Sequence, residues 1–266
     1  MLWSNLFDEP VFVMTSDQDW TPSWAAERFL SHPLLRATVP HFFRTNPCSI
    51  LDAAAVTGKI SQGWHPNFLP GSSHGADAAS VVNYMQRNFP GLTTARSHAF
   101  SESTYAWAQL ANAGIIADSQ TATMYQAEIH PLRLHNGIIR FPIFFEDDVF
   151  FTQYPDDLNL APVMQTLFTP GLKILNFHAT FAAANMPSRM HYDAVKALIF
   201  ANPHSIGSSQ SNDVVWKGRG TLQVFEEVVQ RITNAGYSFT AFPDLVTRTI
   251  KFIEQHCDRF PRLNAR

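Results

Sequence analysis

The sequence contains little cysteine and little charge of either sign, and these shortages exclude several classes of protein. Its two cysteines, Cys48 and Cys257, are far apart, which excludes a disulfide framework and a cysteine-based zinc site. Charged residues make up 15% of the 266-residue chain and the formal net charge is -3. Because no segment concentrates lysine and arginine, we expect no nucleic-acid partner.

Long uninterrupted apolar segments are also missing. No run approaches the roughly 18 residues that a membrane-spanning helix needs, so we predict no membrane span. Residues 1–10 contain Asp8 and Glu9 and lack a basic segment followed by an apolar run, so we expect no signal peptide. Together with the scarcity of cysteine, this predicts a cytoplasmic protein.

Apolar residues are plentiful, at 45% of the chain, and they come in short runs that alternate with helical patterns. Such alternation is typical of βαβ units and predicts a single α/β domain over residues 1–266, a distorted, mostly parallel (β/α) barrel of seven or so strands. The predicted strands are residues 10–15, 37–43, a run ending at 64–65, 92–96, a run from 115, 137–144, 172–177 and 237–242. The predicted helices are residues 21–29, 76–88, 102–113, 221–234 and 245–256. Residues 188–220 lack clear periodicity, which suggests a lid or an interface loop.

Four predicted strand ends carry unusual polar residues. They are Asp17-Gln18-Asp19, His65-Pro66-Asn67, His98 and His178. In a barrel the carboxyl ends of the strands meet at one face, and period-two geometry places Asp17 and Asp19 on the same side if the strand continues that far. One carboxylate and two imidazoles leave positions open on a divalent metal, which then makes water a usable nucleophile. The alternative is that the carboxylates cap a helix and the histidines are structural.

The order of these residues resembles the polysaccharide deacetylase family, whose fold is the NodB-homology domain. The resemblance runs from Val11 to about Leu245 and includes Arg140-Phe-Pro142 and Leu175-Asn-Phe-His178. Residues 63–75 and Arg96-Ser-His98 are similar to the divergent members associated with bacterial surface-polysaccharide and O-antigen synthesis. The sequence departs from the family pattern in two ways: Gln18 separates the two aspartates, and no His-x-x-x-His pair is present.

The resemblance implies a role for each matching residue. Asp17 is the expected general base, and Asp19, His65 and His98 are the expected metal ligands. His178 is the expected general acid, and Arg140 is expected to orient Asp17.

The acidic run Glu146-Asp147-Asp148 is expected to supply a carboxylate that keeps His178 protonated. Asp148 is preferred if Glu146 and Asp148 share one side of the strand, and Asp147 stays open. Trp20, Asn67, His74 and Asp147 are expected to contact substrate.

The expected activity is metal-dependent removal of an N-acetyl or other N-acyl group from a sugar or glycan intermediate in O-antigen biosynthesis. Zinc is the expected cofactor, with cobalt, nickel or manganese as alternatives for the same ligand types. Two other functions stay open: an amidase or deformylase acting on a small non-sugar amide, and a non-catalytic glycan-binding barrel.

Overall fold

The computed structural model describes residues 6–154, 157–201 and 214–256. Within these ranges the strands are β1 Pro10–Asp17, β2 His41–Arg44, β3 Ser61–Trp64, β4 Thr94–Ala95, β5 Ala117–Asp118, β6 Leu132–Arg133, β7 Ile139–Arg140, β8 Ile143–Glu146 and β9 Gly171–Asn176. The helices are α1 Ser23–Leu30, α2 Ser49–Val56, α3 Ala78–Asn88, α4 Thr104–Asn112, α5 Asp147–Gln153, α6 Ala161–Leu167, α7 Ala179–Ala184, α8 Arg189–Ala201, α9 Thr221–Asn234 and α10 Phe242–His256. Short 3-10 helices span Pro33–Ala37 and His98–Phe100.

The strands form one mostly parallel sheet in the order β6-β7-β5-β4-β3-β2-β1-β9-β8. Only the β6–β7 pair is antiparallel among the described strands. The sheet curls back on itself because the segment after β5 reaches β8: Ala122 bridges Ile143, and the Thr123 N–H donates to the Ile143 carbonyl at 2.9 Å. The predicted α/β barrel is therefore confirmed, with nine described strands in place of seven.

The central strands are buried on both faces, as in other parallel sheets covered by helices. Every residue of β9 is buried, and so is every residue of β1 except Val11. These two strands pair in register from Pro10–Gly171 to Thr15–Asn176. Their carboxyl ends therefore lie side by side and direct Asp17 and Asn176 towards the same face of the barrel.

Several element predictions were wrong. Residues 237–242 form no strand, because Phe239 makes only an isolated bridge to Phe12 and α10 already begins at Phe242. The predicted strand 137–144 is divided into β7 and β8 at Phe141-Pro142, since proline lacks the N–H that a continuous ladder needs. Part of the predicted loop 188–220 is helix α8, and residues 202–213 lie outside the described ranges. None of the described helices has the length and apolar character needed to cross a membrane.

Candidate metal and catalytic site

Three of the predicted ligands come together at the carboxyl ends of β1, β3 and β4. The Asp19 Oδ1 lies 2.9 Å from the His65 Nε2 and 2.7 Å from the His98 Nδ1. One ligand atom from each residue lies within 4.8 Å of the others. Although desolvation raises the pKa of the Asp19 carboxyl, hydrogen bonds from His178, His65 and His98 outweigh it and hold that pKa well below its usual range. The cluster therefore concentrates one carboxylate and two imidazoles around a single point.

The backbone after β1 explains how Asp17 and Asp19 reach the same cluster with Gln18 between them. Strand β1 ends at Asp17, and Asp19 and Trp20 adopt left-handed conformations with φ of 43° and 55°. Such angles are uncommon for non-glycine residues and are often found where a functional site constrains the chain. The Gln18 side chain is buried on the other side, where its Oε1 accepts from the Arg44 Nε at 3.0 Å. Gln18 therefore anchors the turn and leaves both carboxylates directed at the histidines.

Asp17 is buried and ion-paired, but its partner is not the predicted one. The Arg96 Nη1 donates to the Asp17 Oδ1 at 2.9 Å, and the Asn176 Nδ2 donates to the Oδ2 at 3.1 Å. The prediction that Arg140 holds Asp17 was wrong. Arg140 instead makes a bidentate pair with Asp118, at 2.8 Å for each bond, and a third bond to Glu102 at 2.8 Å. Because β5 and β7 are adjacent, Arg140 pairs with Asp118 on the neighbouring strand and not with Asp17 at the end of β1.

Arg96 is fully buried, and its guanidinium bonds fix its position. Besides Asp17, it donates to the Asn176 Oδ1 at 2.6 Å, the Thr15 Oγ1 at 3.1 Å and the Ser119 Oγ at 2.8 Å. Sequence reasoning missed this role, although Arg96 stands two residues before His98 at a strand end. Asn176 likewise stands two residues before His178. The two-residue period of a strand could therefore have identified Arg96 and Asn176 as neighbours of the site.

His178 directly precedes α7, as its N-cap residue, and is oriented by Asp147. The Asp147 Oδ1 lies 2.6 Å from the His178 Nδ1, and its Oδ2 accepts the His178 backbone N–H at 2.9 Å. Burial alone lowers the pKa of His178, but the charge of Asp147 and its hydrogen bond outweigh burial and raise that pKa well above the usual range. Burial raises the pKa of Asp147 to about 6. The preference for Asp148 was wrong, because Glu146 ends β8 and the chain turns into α5, so strand alternation no longer applies.

The remaining Nε2 of His178 faces the cluster. It lies 3.3 Å from the Asp19 Oδ2 and 3.9 Å from the Asp17 Oδ2. His65 lies on another side, with its buried Nδ1 3.9 Å from the Asp17 Oδ1 and without a hydrogen-bond partner among the described residues. The cluster is therefore flanked by the buried carboxylate of Asp17 and by His178, whose Nδ1 is already bonded to Asp147.

Glu146 is a further buried carboxyl beside Asp17 and His178, with ligand-type atoms of all three within 4.8 Å. Its Oε1 accepts a hydrogen bond from the Asn176 Nδ2 at 3.3 Å, and the same amide group also donates to Asp17. Burial and the nearby charge of Asp148 raise the pKa of Glu146 well above its usual range. Proton-binding groups are thus concentrated on the Asp17 and His178 side of the cluster.

The residues predicted to contact substrate surround the histidine side of the cluster. The Trp20 ring meets the His98 ring edge-on at 5.1 Å and lies 5.8 Å from the His74 ring. His74 stacks on Tyr84 at 4.4 Å, and its Nδ1 accepts the Asn67 backbone N–H at 3.1 Å. These contacts bring Trp20, Asn67 and His74 to one wall of the cleft, whereas Asp147 is buried behind His178. Their role in binding substrate stays a prediction.

The donors of the Asp19, His65 and His98 cluster fit a divalent metal. Each supplies a nitrogen or oxygen of the type that zinc and similar ions bind in hydrolytic sites. One ligand atom from each of the three residues lies within 4.8 Å of the others, which is close enough for a single ion to be bound by all three. The strained turn at Asp19 and Trp20 holds this arrangement in place.

Comparisons with known proteins identify the family of the chain. A family model described as WbmS-like polysaccharide deacetylase matches residues 14–196, more than half of the chain. A crystal structure from Bordetella bronchiseptica, of a protein assigned as a polysaccharide deacetylase involved in O-antigen biosynthesis, superposes with a TM-score of 0.70. The two sequences are 18% identical, and the match covers 85% of this chain and 91% of that chain.

A second solved structure, from Mycobacterium smegmatis and also assigned as a polysaccharide deacetylase, gives a TM-score of 0.45 at 15% identity. It covers 90% of this chain and 94% of that chain, and its score is too low to support an argument. No curated protein matches the sequence.

Proposed function

The chain belongs to the WbmS-like polysaccharide deacetylase family, and we propose that its site removes an N-acetyl or other N-acyl group from a sugar. The observation that carries this proposal is the placement of Asp17 and His178 beside the Asp19, His65 and His98 cluster. Amide hydrolysis needs a group that takes a proton from water and a group that gives one to the leaving amine. Asp17 and His178 supply these two functions.

Asp19, His65 and His98 would hold a divalent metal, zinc being the ion that this ligand set commonly binds. When bound, such an ion would supply a Lewis acid for the acyl carbonyl and would make water a better nucleophile. The protein's own contribution is to fix its three ligands, and the turn at Asp19 and the strand ends of His65 and His98 do so.

Asp17 acts as the general base. Arg96 and Asn176 donate to its two oxygens, which fixes the direction of the carboxylate. The water oxygen forms the new bond to the acyl carbon while Asp17 takes the water proton. The positive charge of Arg96 stays paired with Asp17 in a fully buried site, so the base is held ready without further movement.

His178 acts as the general acid. Asp147 accepts at the Nδ1, so the proton available for transfer is on the Nε2, which faces the cluster. As the bond between the acyl carbon and the sugar nitrogen breaks, the Nε2 proton passes to that nitrogen. The products are the free acid and the amino sugar.

The substrate proposed is a glycan or glycan precursor of a bacterial cell surface. Support comes from the Bordetella bronchiseptica protein with the same fold, which is assigned to O-antigen biosynthesis. The wall formed by Trp20, Asn67 and His74 gives this cleft aromatic and amide groups of the kind that contact sugars.

Replacing Asp17 by Asn tests the proposal. The variant removes the proton acceptor and keeps a side chain of the same shape, so release of acetate from an N-acetylated sugar should fall by at least about 100-fold. Metal content, measured by elemental analysis, should be unchanged because Asp17 is not among the three ligands. A variant that hydrolyses the sugar amide at the wild-type rate would rule out Asp17 as the base.

A further inference from the structure

A groove outside the catalytic cluster lies between the start of α8 and the loop that precedes α9. It encloses about 670 Å³, within the range of about 300–1,000 Å³ that is common for ligand sites. The residues that matter for its chemistry are Pro187, Met190, His191, Trp216 and Arg219. The hydrolytic mechanism described above uses none of them.

Trp216 presents the main aromatic surface of this groove. It is 41% exposed, and its ring meets the His191 ring at 5.1 Å in an edge-to-face arrangement. Met190 beside it is 82% exposed. An indole combines an apolar face with one N–H donor, and a pyranose combines a face of C–H groups with hydroxyls. The two surfaces are complementary.

The loop that carries Trp216 is built to hold it. The backbone N–H of Trp216 donates to the Ala184 carbonyl at 3.0 Å. Asn185, in a left-handed conformation, donates from its Nδ2 to the Trp216 and Gly218 carbonyls at 3.1 and 3.0 Å. A Cβ on Gly218 would lie 2.8 Å from the Trp216 Nε1, so glycine leaves room for the indole. The aromatic platform is therefore formed before any ligand arrives.

Polar groups suited to hydroxyls lie next to the platform. The Nε2 of His191 is a buried atom without a hydrogen-bond partner among the described residues. Buried polar atoms usually have a partner, which points to a ligand or water at this position. The Arg219 guanidinium uses its Nη2 for the Leu158 carbonyl and Glu227, at 3.3 and 2.9 Å, and its side chain is 42% exposed.

The groove lies close to the catalytic cluster. Helix α7 begins directly after His178 and ends at Ala184, to which Trp216 is bonded. At 1.5 Å per residue, this separation is about 9 Å along the helix axis. Ring contacts bridge the interval: His178 to Phe181 at 4.9 Å and Phe181 to Tyr192, the neighbour of His191, at 5.0 Å. A sugar and the next unit of the same chain span such a distance.

The geometry points to a second sugar subsite in this groove, with Trp216 as its stacking platform and His191 and Arg219 as hydrogen-bonding groups. The substrate is accordingly an oligosaccharide that extends from the reacting sugar past the Phe181 and Tyr192 rings, and not a free monosaccharide. This inference rests on the proposed function, since it assigns the chain length of the glycan on which the same catalytic cluster acts.

Trp216→Ala tests the subsite with N-acetylated O-antigen fragments of one and four sugars as probes. The KM for the four-sugar fragment should rise about tenfold, equivalent to about 1.4 kcal/mol. The value of kcat/KM for the one-sugar fragment should not change. Trp216→Phe should retain most of the affinity because it keeps an aromatic face. Tyr105→Ala is the matched control, since Tyr105 is an aromatic residue 59% exposed on α4, and it should alter neither substrate.

Binding of the same fragments, measured by calorimetry, separates this inference from the proposed function. If the four-sugar fragment binds more tightly than the one-sugar fragment and Trp216→Ala removes that difference, the subsite stands even where no hydrolysis is detected. Equal binding of both fragments by the wild-type protein overturns the subsite, and so does an equal loss of both in the variant. Neither of these results changes the roles of Asp17 and His178.

Discussion

Arg96 holds Asp17, the proposed general base, in position. Its guanidinium donates to Asp17, Asn176, Thr15 and Ser119, and it has no exposed surface. Lysine keeps the charge but cannot reproduce the planar set of donors. We therefore expect Arg96→Lys to lower kcat by about 100-fold, with metal content unchanged, as measured by acetate release and elemental analysis.

Arg140→Lys is the matched control for Arg96→Lys. Arg140 is also a buried arginine, but its bonds go to Asp118 and Glu102 and not to the cluster. Its replacement should lower the free energy of unfolding and leave kcat of the folded protein close to the wild-type value. If the two variants lost kcat equally, Arg96 would have no special relation to the base.

Asp147 and Asp148 offer a second matched pair. Asp147 holds both the His178 imidazole and its backbone N–H, whereas Asp148 is only partly buried and acts on His178 through its charge alone. Asp147→Asn removes the charge that keeps His178 protonated, so kcat should fall by at least about tenfold. Asp148→Asn should change kcat less than about threefold. A larger loss of kcat in Asp148→Asn than in Asp147→Asn would instead support Asp148 as the partner of His178, as the sequence predicted.

The sequence predicted which residues meet in the Asp19, His65 and His98 cluster better than it predicted the residues that support Asp17 and His178, for a physical reason. Asp19, His65 and His98 each follow an apolar run, so their positions depend on strand ends that periodicity can locate. The choice between Arg96 and Arg140 depends on which carboxylate is nearest, and this follows from the strand order. Asp118 lies on β5, the strand next to β7, and forms an ion pair with Arg140.

At the scale of elements, His41 joins β2 to its neighbours. Its Nδ1 lies 2.8 Å from the Ser61 Oγ on β3 and its Nε2 lies 2.9 Å from the Thr94 Oγ1 on β4. Burial, together with the charge of Arg96, lowers the pKa of His41 to about 3. The histidine is therefore neutral in the folded sheet at pH values where an unfolded chain would already be protonated.

This lowered pKa predicts a loss of stability in acid. Above pH 6.5 both states hold neutral His41, and below it only the unfolded state binds the proton, until the pH reaches about 3. Between pH 6.5 and 5 the His41 contribution to the free energy of unfolding should fall by about 2 kcal/mol. The difference between wild type and His41→Asn, measured by denaturant unfolding, should shrink by that amount. A difference independent of pH would contradict it.

The elements that sequence patterns located best are those with long periodic runs. Residues 221–234 were predicted as a helix with the bounds that α9 has, because its apolar positions repeat every three to four residues. The strands β4, β5, β6 and β7 have two residues each, too few for a period to be visible. The segment at 237–242 has a strand-like composition, but it meets β1 only at the isolated bridge between Phe239 and Phe12, where the Thr240 N–H donates to the Phe12 carbonyl.

At the scale of the whole molecule, parallel pairing from β3 through β1 to β8 brings the functional strand ends to one rim. Residues from β1, β3, β4, β8 and β9 or their following turns therefore meet although up to 161 positions separate them in the sequence. The segment that follows β5 contacts β8, and this contact closes the sheet. A single domain over residues 1–266 stays a prediction.

The measurement that tests the central claim most directly is metal analysis of the purified protein beside three histidine variants. Wild-type protein should hold one divalent ion per chain, and His65→Ala and His98→Ala should each lose it. His74→Ala is the control, because His74 is a buried histidine of the same cleft that lies outside the ligand cluster, and it should keep the ion. Unchanged metal content in both His65→Ala and His98→Ala would contradict the proposed site.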